Sequence, residues 1–160
     1  MTEPDREITG VALAERGELE PILEESFEGW YLRHSKRTLH EVETVRAISL
    51  DGKPVGLAML KTLNDGVGYV YYVAVARKYR RRGIGGRLLD DAISRFSGVG
   101  SKVVYASVEN DESARLFALK GFRKTNFGEV SKKYGVLRAF SMYRDMVAVP
   151  GEALLFRELP

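Results

Sequence analysis

The sequence has no cysteine and no glutamine, and its 160 residues include only two histidines and three asparagines. Without cysteine the chain has no disulfide framework, no thiolate metal site and no cysteine nucleophile. The histidines, His34 and His40, lack a neighbouring carboxylate pattern for metal binding, so we predict no metal site and expect both to be exposed. The shortage of amides and cysteine favours, as a hypothesis, a protein adapted to heat.

Long apolar runs are also absent, and none approaches the roughly 18 to 20 residues that a membrane helix needs. The first ten residues, MTEPDREITG, carry charges where a signal peptide would be apolar. Apolar residues make up 44% and charged residues 29% of the chain, which is typical of globular proteins. We therefore expect a cytoplasmic protein that does not contact membranes and forms a single domain over residues 1–160.

The net charge of +3 is concentrated in one short segment of the chain. Between Arg77 and Arg87 there are six basic residues and no acidic one, whereas acidic residues outnumber basic ones in the remainder. Such a local cationic patch predicts a local anionic ligand. The chain lacks a second basic face, so nucleic-acid binding is the less favoured interpretation of this patch and we expect no nucleic-acid partner.

The spacing of apolar residues and the turn signals predict an α+β fold. Asp51-Gly52-Lys53 is a hairpin signal between two apolar runs. For the first half we expect a strand at 7–13, a helix at 16–28, a helix or loop at 29–40, and antiparallel strands at 42–50, 54–63 and 67–75.

The second half alternates helix and strand patterns. A helix is predicted from the glycines near residue 84 to Ser97-Gly98, and another from Asn110 or Asp111 to Gly121. The remaining predictions are a strand at 102–108, a closing hairpin of 122–127 and 136–146 with Lys132, Lys133 and Tyr134 in its loop, and a short strand or packed tail at 153–159.

The segment from Val70 to Phe96 carries the chemistry: a β-rich run, a basic turn and then an amphipathic helix. Gly83, Gly85 and Gly86 let a ligand approach the backbone closely, and the helix N-terminus adds partial positive charge. These features predict a pyrophosphate site. The pattern is not a P-loop, because no Gly-Lys-Ser/Thr follows, and it also lacks the dinucleotide fingerprint GxGxxG.

Arg80-Arg81-Arg82-Gly83-Ile84-Gly85 resembles the acyl-CoA-binding motif of the GNAT superfamily of acetyl-CoA-dependent N-acetyltransferases. Val73-Ala74-Val75 is similar to the strand whose backbone pairs with the pantetheine arm in that family. Asn110 through Phe122 resembles the family's second helix motif. The resemblance implies a mixed, mostly antiparallel sheet flanked by helices on both faces, with acetyl-CoA as cosubstrate.

By the same resemblance, backbone N–H groups of residues 81–86 hold the pyrophosphate and Val73 and Val75 hold the pantetheine. A backbone N–H at the splayed end of that strand polarises the thioester carbonyl, and Asn110 contacts the cofactor. The residues expected at the cofactor site are Val73, Ala74, Val75, Arg80, Arg81, Arg82, Gly83, Ile84, Gly85, Gly86, Asn110 and Phe117.

The sequence departs from the family pattern at Phe117, where many members have a tyrosine proposed to protonate the thiolate. Carboxylate bases used by some members are also missing. Tyr69 and Tyr105 stand where some protein N-terminal acetyltransferases have a tyrosine and a histidine. We therefore predict Tyr69 and Tyr105 as general base, proton relay or acceptor-positioning residues. The alternative for each tyrosine, including Tyr71 and Tyr72, is a packing role in the sheet.

The resemblance implies an enzyme that transfers acetyl from acetyl-CoA to a primary amine by direct attack, with a protein or peptide N-terminus as the preferred acceptor. A small-molecule amine is the alternative acceptor. A non-catalytic acyl-CoA-binding or regulatory module is the alternative function, suggested by Phe117 and the missing carboxylate base. The expected assembly is a monomer or homodimer, with residues 147–160 as a C-terminal extension.

Overall fold

The structure, a computed structural model, describes residues 15–63, 66–146 and 151–160. The strand predicted at 7–13 lies outside the described residues. These contain six α-helices, six strands and two short 3-10 turns, at Arg16–Leu19 and Arg77–Tyr79. The helices are α1 (Glu20–Ser26), α2 (Gly29–Glu41), α3 (Ile84–Gly98), α4 (Asp111–Leu119), α5 (Phe127–Tyr134) and α6 (Val136–Asp145). The strands are β1 (Thr44–Leu50), β2 (Lys53–Leu63), β3 (Val67–Val75), β4 (Val103–Val108), β5 (Arg123–Thr125) and β6 (Ala153–Glu158).

The strands are hydrogen-bonded in the order β1-β2-β3-β4-β6-β5. The pairs β1–β2, β4–β6 and β5–β6 are antiparallel, and β3–β4 is parallel. The predicted mixed, mostly antiparallel α+β fold is therefore confirmed.

The chain comprises two compact units: unit 1 contains Met1–Lys61 and Tyr72–Ala92, and unit 2 contains Thr62–Tyr71 and Ile93–Pro160. One domain over residues 1–160 stays a prediction.

In unit 1 the predicted hairpin is confirmed. Asp51 (φ 50°) and Gly52 (φ 78°) both adopt positive φ, which is the backbone geometry that fits the twist of two adjacent strands. Helix α3 packs directly on β2 at Gly56, where an added Cβ would lie 2.8 Å from Ile84 Cγ2 and 3.1 Å from Leu88 Cδ1. The absence of a side chain at Gly56 thus allows the first turn of α3 to approach the strand.

In unit 2, helices α5 and α6 cover an apolar cluster that includes residues of β3, β4 and β6. The predicted closing hairpin is wrong, because 127–134 and 136–145 are helical. Asn126 accepts a hydrogen bond from the Glu129 N–H at 2.9 Å and caps α5, so Lys132, Lys133 and Tyr134 lie in a helix and not in a hairpin loop. The second strand of the closing pair is β6, which confirms the short strand predicted at 153–159 and lies between β4 and β5.

The remaining helices agree with the predictions. The uncertain segment 29–40 is helix α2, and α3 begins at Ile84 as expected. Helix α4 begins after Asn110, whose Oδ1 accepts from the Ser113 N–H at 2.8 Å, and is followed by Gly121 at φ 86°.

A substitution at Gly68 tests how tightly the interior of unit 2 is packed. A Cβ at this position would lie 2.6–2.9 Å from three ring atoms of Phe96, so Gly68→Ala should overpack the interior and lower the free energy of unfolding by about 1–3 kcal/mol. Gly17→Ala is the control, since a Cβ there meets no atom within 4 Å. Urea denaturation of both variants measures the difference, and equal stabilities would contradict this packing.

Candidate functional site

The exposed segment that joins β3 to α3 ends in residues 80–83, which we call the basic loop. Arg81 (φ 63°) and Gly83 (φ 77°) both take positive φ and turn the chain into the helix. The Arg87 N–H donates to the Gly83 carbonyl at 3.1 Å, which starts the helical hydrogen-bond series. The N–H groups of Ile84, Gly85 and Gly86 precede that bond, so helix geometry leaves them without intrahelical acceptors. An anion at this end of α3 would be stabilised by those groups.

The arginines of the basic loop differ in what they contact. Arg81 and Arg82 are exposed, and the Arg82 guanidinium lies 5.5 Å from the centre of the Tyr79 ring. Arg80 instead donates from Nε to the Val75 carbonyl at 3.0 Å and from Nη2 to Ser26 Oγ at 3.2 Å. Arg80 is exposed as well, but its two hydrogen bonds tie the loop to the end of β3 and to the last residue of α1.

The end of α1 is also fixed to the 3-10 turn that precedes the loop. Glu25 Oε2 accepts from the Arg77 backbone N–H at 2.7 Å. At the start of this turn, the Ala76 N–H donates to the Val55 carbonyl of β2 at 2.8 Å. Two contacts within unit 1 thus hold the start of the 3-10 turn, and the Arg80 side chain fixes the chain just after it.

Val73, Ala74 and Val75 form the last three residues of β3. Ala74 is buried, whereas the two valines are half-buried. The parallel ladder between β3 and β4 runs from Val67 to Val70 and ends there, while β3 itself continues to Val75. The peptide groups of Val73–Val75 are therefore not used by that ladder.

Tyr69 and Tyr105 lie side by side in unit 2, as partners in the β3–β4 register. Only 2% of Tyr69 and 3% of Tyr105 is exposed, in the cluster covered by α5 and α6. Tyr69 donates to Ser107 Oγ at 3.0 Å, and burial raises its pKa well above the ordinary value despite that bond. Burial likewise raises the pKa of Tyr105, and a hydrogen bond with Tyr134 raises it further.

Both phenols therefore keep their protons at neutral pH. A protonated, buried phenol is a hydrogen-bond donor and a weak acid, and it is a poor general base. Of the roles predicted for Tyr69 and Tyr105, the geometry is more compatible with relay or positioning than with proton abstraction. Their involvement in catalysis stays a prediction.

His34 differs from the sequence expectation, because it is half-buried and not exposed. Its Nδ1 lies 2.6 Å from the Tyr72 hydroxyl, and its ring stacks on Trp30 with centroids 4.7 Å apart and an interplanar angle of 7°. Burial lowers the pKa of His34, and the charge of Arg37 lowers it further while Glu41 opposes the shift. Trp30 and His34 are four residues apart on one helix, and this spacing is a local signal that could have indicated their stacking.

The sequence model of the Acetyltransferase (GNAT) family matches residues 11–122, which include β3, the basic loop, α3 and α4. The chain belongs to the GNAT acetyltransferase family. No protein with a curated description matches the chain in sequence.

Solved structures of GNAT proteins share the fold. The ribosomal-protein-S18-alanine N-acetyltransferase of Escherichia coli matches with a TM-score of 0.65 and 18% identity over 74% of this chain and 79% of that one. The PaiA N-acetyltransferase of Thermoplasma acidophilum, solved with coenzyme A, matches with a TM-score of 0.67 and 11% identity over 95% and 99%. The N-acetylglutamate synthase of Neisseria gonorrhoeae, complexed with coenzyme A and N-acetyl-glutamate, matches with a TM-score of 0.68 and 20% identity over 96% of this chain, which spans only 35% of that protein.

Within this GNAT protein, Asn110 and Phe117 contribute visibly to the structure of unit 2. The Asn110 side-chain oxygen is used as the cap of α4. Phe117 is buried and meets Phe122 edge-on, with ring centroids 5.0 Å apart. The position at which the family pattern expects a phenol is thus occupied by a packing side chain without a proton to give.

Across residues 15–63, 66–146 and 151–160, no helix has the length and apolarity required to cross a membrane. The same residues contain no group of three or more His, Asp or Glu side chains that could hold a metal ion.

The raised pKa of Tyr71 predicts how the stability of the protein changes at alkaline pH. Tyr71 donates to the Asp145 carbonyl at 2.6 Å, and burial, with a smaller effect of the Asp145 charge, raises its pKa to about 12. The unfolded chain loses this proton near pH 10 and the folded chain near 12, so this contribution to stability is complete below pH 10 and is lost as pH rises to 12.

Tyr71→Phe removes that contribution, so its free energy of unfolding should fall less steeply between pH 10 and 12 than that of the wild type. The variant should be less stable at neutral pH, because the Asp145 carbonyl loses its donor. Urea titrations at intervals of half a pH unit give both slopes, and parallel slopes would show that Tyr71 titrates normally.

Proposed function

We propose that this chain is an N-acetyltransferase that moves an acetyl group from acetyl-CoA to a primary amine by direct attack. The observation that supports this most strongly is the start of α3, where Gly83 at φ 77° leads from the exposed basic loop into the first N–H groups of the helix. Membership of the GNAT acetyltransferase family is consistent with it.

The N–H groups of Ile84, Gly85 and Gly86 suit the pyrophosphate of the cosubstrate. They are donors at the positive end of a helix dipole, and Arg81 and Arg82 add full charges nearby. In our proposal Arg80 acts indirectly, because its guanidinium is already bonded to Val75 and Ser26. The helix N–H groups and the two arginines together attract a dianionic group, and no lysine like that of a P-loop is needed.

The peptide groups of Val73–Val75 suit the pantetheine arm, which has amide groups that can pair with a strand. In the proposed reaction an N–H of this segment polarises the thioester carbonyl and stabilises the negative charge that grows on its oxygen during attack. Holding the amine and the thioester side by side lowers the activation barrier further, because the two reactants no longer have to meet in solution. The proposed contact of Asn110 with the cofactor would use its side-chain amide, since the oxygen caps α4.

The lack of a phenol at Phe117 is compatible with turnover. A thiol with a pKa near ~8.5 is a fair leaving group as thiolate, and water can protonate it. The preferred acceptor in our proposal is a protein or peptide N-terminus, because Tyr69 and Tyr105 stand at positions that resemble those of protein N-terminal acetyltransferases. Small-molecule amines form the alternative acceptor class.

Two glycines with matched backbones test the cosubstrate site. Gly83 (φ 77°) and Gly52 (φ 78°) both have no atom within 4 Å of an added Cβ, so alanine at either position imposes similar backbone strain of about 1–2 kcal/mol without a clash. Gly83→Ala should weaken coenzyme A binding at least about tenfold, because one misplaced charge-assisted hydrogen bond costs that much. Gly52→Ala, in the β1–β2 turn, should bind as the wild type does.

Titration calorimetry with coenzyme A measures both affinities. Equal affinities in the two variants would contradict the assignment of the basic loop. Turnover of acetyl-CoA over a panel of peptides, amino acids and polyamines then tests the transferase, and coenzyme A binding without turnover of any amine would favour a non-catalytic acyl-CoA-binding module.

A further inference from the structure

The proposed reaction requires a proton acceptor that the family pattern does not supply here. A primary amine is largely an ammonium ion at neutral pH and must lose a proton before its nitrogen can attack. Tyr69 and Tyr105 are buried and keep their own protons, as their raised pKa values indicate. Another side chain is therefore needed to accept the proton of the amine.

Unit 1 contains a hydroxyl–imidazole pair with fixed geometry. The Tyr72 hydroxyl lies 2.6 Å from His34 Nδ1, a short distance for a hydrogen bond. Trp30 stacks flat on the imidazole, and Phe27 meets the Tyr72 ring edge-on with centroids 5.1 Å apart. Both partners are thus held in orientation by aromatic contacts, as a proton-transfer pair requires.

The surroundings of His34 favour its neutral form. Burial lowers its pKa, and Arg37 on the same helix acts in the same direction, while Glu41 opposes them. The facing helix α1 carries Glu24 and Glu20, and these carboxylates pair with Lys36 at 2.9 Å and His40 at 3.3 Å. A neutral imidazole has one ring nitrogen without a proton, and Nδ1 can then accept the Tyr72 hydrogen.

The position of Tyr72 along the chain connects this pair to the chemistry. Tyr72 directly precedes Val73, the first residue of the segment proposed to hold the pantetheine arm and the thioester. His34 is itself only half-buried, so an imidazolium at this position is near enough to solvent to release its proton to water.

We propose that the Tyr72 hydroxyl takes the proton that the acceptor amine must lose, while passing its own proton to His34 Nδ1. This inference rests on the proposed acetyl transfer. Tyr72 is then the catalytic residue that touches the amine, and His34 is a positioning residue that acts through it.

The proton balance is complete with the two substrates, the Tyr72–His34 pair and solvent water. The ammonium loses one proton through Tyr72 to His34, which becomes an imidazolium and later releases the proton to water. The neutral amine nitrogen forms a bond to the thioester carbon, and the carbon–sulfur bond breaks as its electron pair moves to sulfur. The second nitrogen proton leaves as the amide forms and ends on the thiolate.

Three variants test this assignment. His34→Asn can keep a hydrogen bond near the Nδ1 position but cannot hold an added proton at neutral pH, and Tyr72→Phe keeps the ring that packs on Phe27. Each should lower kcat by roughly 10²-fold, the size of a general acid–base contribution, with little change in the KM for acetyl-CoA. His40→Asn is the control, since that histidine is exposed and pairs with Glu20.

The pH profile separates a proton-transfer role from a packing role. Wild-type kcat should fall on the acidic side as His34 becomes protonated, below its ordinary pKa of about 6.5, and this limb should disappear in His34→Asn. Thermal unfolding verifies that each variant is folded. If His34→Asn shows the kcat and pH profile of His40→Asn, the inference is wrong although the transferase stands.

A second measurement does not depend on turnover. Because the chain has only two histidines, nitrogen NMR can assign the tautomer of each. We expect His34 to carry its proton on Nε2 near neutral pH and the Nδ1 signal to shift in Tyr72→Phe. A proton found on Nδ1 would overturn the inference, since the imidazole would then be the donor. Absence of turnover by the wild type with every amine would overturn the proposed transfer and this inference together.

Discussion

The close approach of α3 to β2 is the constraint on which the candidate site depends. Because Gly56 has no side chain, Ile84 and Leu88 can rest against the strand at a distance that a Cβ would forbid. Ile84 is also the first residue of α3, so the contact that buries its side chain fixes where the helix begins. The N–H groups of the first turn are thereby aimed by apolar packing, which is stiffer than the charged side chains around them.

The charges of the basic loop then act on a geometry that is already set. Arg80 is bonded to the strand end and to α1 through neutral acceptors, so its side chain is fixed while its charge adds to the charges of Arg81 and Arg82. Outside the segment from Arg77 to Arg87 the sequence has slightly more acidic than basic residues, so the excess of positive charge lies in this segment. Such an arrangement attracts a compact anion more specifically than an extended one.

The sequence permitted predictions wherever the signal was local. Asp51-Gly52, the glycines before α3 and the Asn110 cap each specify a backbone conformation within a few residues, and the structure agrees at all three. The predicted closing hairpin is wrong because Asn126 caps a helix, and Asn126 with Glu129 three residues later is a helix-start pattern. The contact between His34 and Tyr72 joins residues 38 positions apart, so no local pattern could predict it.

Two neighbouring tyrosines show why that contact matters for chemistry. Tyr71 donates to the backbone carbonyl of Asp145, and Tyr72 lies at the same 2.6 Å from His34 Nδ1. A peptide carbonyl cannot take up a proton near neutral pH, so the Tyr71 hydroxyl cannot pass its proton along this hydrogen bond. An imidazole can take one up, because its pKa lies within reach of neutral pH. The ability of a tyrosine to relay protons is therefore set by the basicity of the group that accepts its hydrogen bond, and a count of the chain's eight tyrosines does not reveal it.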